Sequence, residues 1–84
     1  MYELIFDEEA IDFFNTLPKE IKERIFKKII SAKENPSHFY ERLAGRPEYK
    51  LRIGDYRVIA DIDLADKKIR IVFAGHRKNV YDKI

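Results

Sequence analysis

Cysteine is absent from the 84 residues, which excludes a disulfide staple and a thiolate-bound metal. No apolar run approaches the roughly 18 residues that a membrane helix needs, and the amino terminus lacks the basic and apolar regions of a secretory signal. Linkers, internal repeats and low-complexity tracts are missing too. The sequence therefore reads as one soluble, cytoplasmic domain over residues 1–84, with no membrane segment, metal or cofactor. A domain this small buries only about 60–65% of its unfolded surface, so few core positions are dispensable.

A large charge of either sign is also missing, since the formal net charge is +2. Its distribution is uneven. Residues 1–40 hold six Lys/Arg against eight Asp/Glu, whereas residues 41–84 hold eleven against seven, and every arginine except Arg24 lies in the second part. The planar guanidinium fork suits bidentate contact with phosphate or carboxylate. An anionic partner bound by the later strands and a solvated sheet face both fit this distribution.

Tyr2 to Phe6 reads as a first strand. Asp7 follows as a helix N-cap, with Glu8 and Glu9 at the positive end of the helix dipole. Ala10, Phe13, Phe14 and Leu17 form an i, i+3, i+4, i+7 stripe. Pro18 breaks this helix and opens a second at its first position, so the two make a hairpin. Ile21, Ile25, Ile29 and Ala32 mark the buried side of the second helix, widened by Phe26 and Ile30, and Glu23 and Lys27 suit an i, i+4 pair. Asn35-Pro36 ends it. Ser37 to Pro47 is too polar and too punctuated for a buried element and reads as a connector.

Glu48 to Ile62 reads as a β-hairpin. Gly54 at the first turn position fits a type II′ loop, which sets Ile53 opposite Tyr56, Arg52 opposite Arg57, Leu51 opposite Val58 and Lys50 opposite Ile59. Tyr49, Leu51, Ile53, Tyr56, Val58, Ala60 and Ile62 then face the helices; Lys50, Arg52, Arg57 and Asp61 face away. Lys68 to Gly75 supplies a last strand, with Ile69, Ile71 and Phe73 in one phase and Val72 and Ala74 in the other. Apolar residues in both phases suit a strand inside its sheet. Gly75 to Tyr81 leaves it as a helical turn. The fold class is α+β: an N-terminal strand, a helical hairpin, then a three-stranded antiparallel meander, all in one sheet packed on the helices.

Leu43-Ala44-Gly45, Leu51-Arg52-Ile53-Gly54-Asp55-Tyr56-Arg57 and Gly75-His76-Arg77 through Tyr81, in that element order, resemble the RelE/ParE superfamily of toxins from type II toxin–antitoxin pairs, over nearly the whole chain. The resemblance implies one of two activities. RelE-like members cut messenger RNA in the ribosomal A site without a metal; ParE-like members share the fold and inhibit DNA gyrase. It also implies a RelB-like antitoxin in a heteromeric complex, which we expect to be an acidic, amphipathic chain. For the nuclease branch it carries over Lys50, Arg57, Arg77 and Tyr81 as catalytic residues. Glu48 departs from the pattern, because a second basic residue often stands there.

Metal-free cleavage uses the ribose 2′-hydroxyl to attack the adjacent phosphate, so a site must activate that hydroxyl, stabilise a phosphorane and assist the leaving 5′-oxygen. Flanking cations lower a lysine pKa, which makes Lys50 a candidate general base. Arginine hardly deprotonates, so Arg57 fits charge stabilisation and Arg77 fits phosphate or leaving-group contact. Tyr81 suits stacking on a base or packing of the last turn. Arg52, Arg46, Lys78 and His76 are candidate RNA- or phosphate-binding residues around them.

Overall fold

The computed structural model describes residues 1–80 in full and residues 81–83 as backbone of the last helix. Along the chain run β1 (Glu3–Phe6), α1 (Glu8–Phe14), α2 (Lys19–Ala32), α3 (Pro36–Phe39), β2 (Tyr40–Arg42), β3 (Tyr49–Ile53), β4 (Tyr56–Asp63), β5 (Lys68–His76) and α4 (Arg77–Lys83). The five strands form one sheet in the order β1-β5-β4-β3-β2. β1 is parallel to β5, and every other pair is antiparallel. This is the expected α+β class with β5 inside the sheet, but the meander has four strands instead of three.

The added strand lies in the stretch whose composition suggests a connector. α3 turns the chain after α2, and Tyr40–Arg42 then pairs with β3 as an edge strand. Tyr40 is buried among the core residues and Leu43 is buried on the opposite face. A three-residue strand with two charged members has too little alternation to announce itself; pairing with β3 supplies what its own sequence does not.

The helical hairpin covers one face. Phe14, Ile25, Ile29, Leu51, Val58, Ile69 and Ile71 are fully buried there, and Phe26 sits between Phe6 and Phe14, edge-on to the first at a centroid distance of 5.6 Å and tilted against the second at 5.0 Å. Several local details depart from expectation. α1 stops at Phe14, leaving Leu17 in the interhelical loop, and Pro18 is the N-cap of α2 instead of its first residue. Asp7 holds the N-cap position of α1 without a side-chain capping bond; its carboxylate is 3.5 Å from Arg70 Nε. Ile30 is 54% exposed. Among the described residues, the i, i+4 pair on α2 joins Lys19 to Glu23, not Glu23 to Lys27.

The β3–β4 register is the one the turn predicts, from Ile53 opposite Tyr56 to Lys50 opposite Ile59. Gly54 has φ +56° while Asp55 keeps a negative φ, which matches a II′ turn and excludes I′. The phase of β5 is different. The ladder slips between Ile59 and Ala60, whose partners are Phe73 and Ile71, so Val72 is the extra residue of a β-bulge. Ile69, Ile71, Ala74 and His76 therefore share the helix-facing side, while Phe73 and Gly75 turn to the far side. Strict alternation groups Phe73 with Ile71, and a bulge reverses phase without any apolar signal.

Candidate functional site on the far face of the sheet

The bulge decides what stands beside the hairpin cations. Gly75 becomes the far-face neighbour of Arg57, and a β-carbon there would come 3.0 Å from Val80 Cγ2. Its bare backbone thus lets α4 fold down onto the sheet. Val80, Ile59 and Leu43 form a second small core with Phe73 against it. The far face is consequently not the open positive surface that alternation implies, because part of it lies under α4.

Arg57 shows this most clearly. It is only 5% exposed, and its Nη1 donates to the carbonyl oxygens of Gly54 (2.7 Å) and Tyr56 (2.8 Å), while Nε is buried without a partner. It clamps the turn from beneath. Arg52, its direct cross-strand partner, is exposed and makes no ion pair among the described residues. Arg77 begins α4; its backbone N–H donates to Asp55 O (2.7 Å) and its Nε lies 4.0 Å from Asp55 Oδ1. Lys50 is half-buried, two residues before Arg52 on the same face. Arg52, Arg57 and Arg77 are thereby gathered around the turn end of the hairpin, with Lys50 two residues back along β3.

Other candidates do not join them. Arg46 is engaged by Glu48, with Nε to Oε1 at 3.0 Å and Nη2 to Oε2 at 3.1 Å. The bond lowers the Glu48 pKa and raises that of Arg46, so Arg46 neutralises a carboxylate and is not a free phosphate ligand. His76 pairs with Tyr56 on the helix-facing side, their rings 5.8 Å apart and edge-on. That removes it from the cation face. Lys78 is exposed on α4, its backbone N–H directed to His76 Nδ1 at 3.4 Å. The side chain of Tyr81 lies outside the described residues.

Two residues reach this region unannounced by the sequence. Arg24 of α2 lies against the turn, since a β-carbon at Gly54 would come 3.1 Å from its Nη2; only the tertiary packing of α2 brings it there. Glu41 of β2 stands directly across from Lys50, a position that exists only because β2 is a strand and not a loop. Among the described residues, no group of three or more His, Cys, Asp or Glu side chains could hold a metal, and no helix is long and apolar enough to cross a membrane.

No curated protein matches the chain. Among solved structures, the isolated E. coli RelE toxin is similar at 26% identity and a TM-score of 0.77, covering 99% of this chain and 94% of that one. The archaeal RelE–RelB complex from Pyrococcus horikoshii OT3 gives 26% and 0.77, over 90% and 94%. The toxin–antitoxin complex RelBE2 from Mycobacterium tuberculosis gives 22% and 0.81, over 90% and 98%, a likeness of fold alone. The family model for the ParE toxin of type II toxin–antitoxin systems, parDE, matches residues 4–81. Sharing that family's sequence pattern from its first strand to its last helix, the chain belongs to the ParE toxin family of type II toxin–antitoxin systems, within the RelE/ParE superfamily.

Proposed function

We propose that this toxin is a metal-free endoribonuclease that cuts messenger RNA in the ribosomal A site. The observation that supports it is the convergence of Arg52, Arg57 and Arg77 at the turn end of the far face, with Lys50 on the same face two residues back along β3. Cleavage proceeds by attack of the 2′-hydroxyl on the adjacent phosphate, and the charge that builds on the phosphorane is what fixed cations stabilise. Arg52 and Arg77, the exposed pair, contact the phosphate. Arg57 adds positive potential from below while holding the turn, Lys50 lies at the scissile group, and Tyr81 stacks on a base. The reading places the chain in the cytoplasm, with ribosome and mRNA as partners. It also gives the toxin a RelB-like antitoxin of acidic, amphipathic character in a heteromeric complex, as the RelE–RelB structures support.

Primer extension on mRNA with purified ribosomes tests this. Wild-type protein is expected to produce cuts, and Arg77→Ala to reduce them by about 10²-fold or more. Arg57→Ala is expected to lose both cleavage and roughly 2 kcal/mol of stability, since it deletes two charged hydrogen bonds. Undiminished cleavage in both variants would remove the site.

The family-model match favours a second reading, inhibition of DNA gyrase by protein binding without RNA cleavage. Supercoiling inhibition in the absence of mRNA cuts would put it in the place of the first.

A further inference from the structure

Which group takes the proton from the 2′-hydroxyl is left open by the cations. The carboxylates of the far face differ sharply in their engagements. Glu48 is held by two bonds from Arg46. Asp61 lies 3.4 Å from Arg70 Nη2. Asp55 is in the turn beside Arg77. Glu41 has no ion-pair or hydrogen-bond partner among the described residues, and it is exposed on an edge strand, so RNA can reach it.

Its placement is fixed by the register. Tyr40 opposes Leu51 on the core side, Glu41 opposes Lys50 on the far side, and Arg42 opposes Tyr49, whose ring it overlies at 5.8 Å. Directly opposed residues have β-carbons about 4.5–5.5 Å apart. Glu41 and Lys50 therefore project as neighbours from adjacent strands on the far side, Lys50 standing two residues along β3 from Arg52.

We infer that Glu41 is the general base of RNA cleavage and Lys50 the general acid; the inference rests on the nuclease reading. Lysine of ordinary pKa, about 10.4, is deprotonated in only about one molecule in 2,500 at pH 7, whereas a carboxylate of pKa about 4.3 is almost wholly ionised. A carboxylate is thus the natural proton acceptor at neutral pH and an ammonium the natural donor, whereas the reverse assignment calls on the rare form of each type of group. In the step, a Glu41 Oε takes the 2′-hydroxyl proton and the 2′-oxygen bonds to phosphorus. The bond from phosphorus to the 5′-oxygen breaks, and that oxygen takes a proton from Lys50 Nζ. The products are a 2′,3′-cyclic phosphate and a 5′-hydroxyl. Glu41 then releases its proton to water and Lys50 regains one.

The test is single-turnover mRNA cleavage on purified ribosomes across pH, with wild type, Glu41→Gln and Glu41→His, alongside ribosome binding. Glu41→Gln is expected to cut about 10²- to 10⁴-fold more slowly with binding unchanged, and to lose the acidic limb of the rate profile. In Glu41→His, activity is expected to return in part, with that limb moved up toward about pH 6.5. A Glu41→Gln rate within about threefold of wild type, or a Glu41→His limb that does not move, overturns the assignment while leaving the nuclease intact. Absence of cleavage by wild type overturns both.

Discussion

The two faces of this sheet are built from the same strands and obey different rules. On the helix side, buried residues from β2, β3, β4 and β5 join α1 and α2 in one cluster, with half-buried Leu4 and Phe6 of β1 packed against it. On the far side, Leu43, Ile59 and Val80 form a small patch among charges. The first face is held by the amount of apolar surface removed from water, about 25 cal/mol per Å². The second is held by how α4 meets Gly75 and how Arg57 meets the turn. Losing a side chain from the first should damage the whole domain; losing one from the second should mainly release α4.

Ile29 and Ile59 are both fully buried and allow a matched comparison. Ile→Ala substitutions in cores cost about 2–5 kcal/mol, depending on how far the site can collapse. Ile29→Ala is expected near the top of that range and Ile59→Ala near the bottom, because α4 can settle into the space. For a domain of this length each kcal/mol moves Tm by about 4–8 °C, so thermal unfolding separates the two easily. Equal losses would mean that the far patch is a full second core and would break the distinction between the faces.

The helix-facing side is legible in the sequence because periodicity reports burial directly. Ile25, Ile29, Leu51 and Val58 can be placed from it, and Gly54 fixes the register through a turn that only certain residues satisfy. The far side resists the same reading for three physical reasons. A β-bulge at Val72 reverses phase with no compositional mark. A three-residue edge strand borrows its structure from its neighbour. The packing of α4 over Gly75 joins distant parts of the fold, so it is absent from any local pattern. The candidate site inherits these difficulties. Lys50, Arg52 and Arg57 follow from the hairpin register, and Arg77 from the end of β5. Burial of Arg57, the diversion of Arg46 to Glu48, the side change of His76 and the presence of Glu41 are tertiary consequences that no local pattern carries.

Tyr40 sharpens the comparison from the helix side, where polar atoms are least tolerated. Its hydroxyl is buried without a hydrogen-bond partner, and burial pushes its pKa well above the usual phenol value. Tyr40→Phe removes that unsatisfied group while keeping the ring, and is expected to leave stability unchanged or raise it by up to about 1 kcal/mol in urea unfolding. The pH dependence has a definite sign. A folded pKa above the unfolded one means that Tyr40 contributes stability fully below about pH 10, and that this contribution is lost as pH rises toward the folded value. The variant should therefore unfold less readily than wild type at alkaline pH, with the gap widening upward from about pH 10. A Tyr40→Phe protein less stable than wild type would show that the hydroxyl is bonded after all.

The smallest effect belongs to the far side and runs against intuition. Arg52 and Arg57 are directly opposed, and like charges at opposed positions destabilise a strand pair on a scale of about 0.2–1 kcal/mol. Arg52 is exposed, so solvent and salt weaken the repulsion, and Arg52→Gln is expected to stabilise the free protein by a few tenths of a kcal/mol at low ionic strength. The gain should shrink as salt is added. The same substitution deletes one of the two exposed arginines of the site, so RNA binding should weaken. If Arg52 neutralises one phosphate of a single strand, the slope of log K against log salt should become shallower by about 0.7. A variant that is more stable and binds less tightly would show that the second face keeps its charge for a ligand at the expense of the fold. A variant that is less stable, with RNA affinity intact, would show instead that the pair is a structural element, and the two faces would then be governed by one rule.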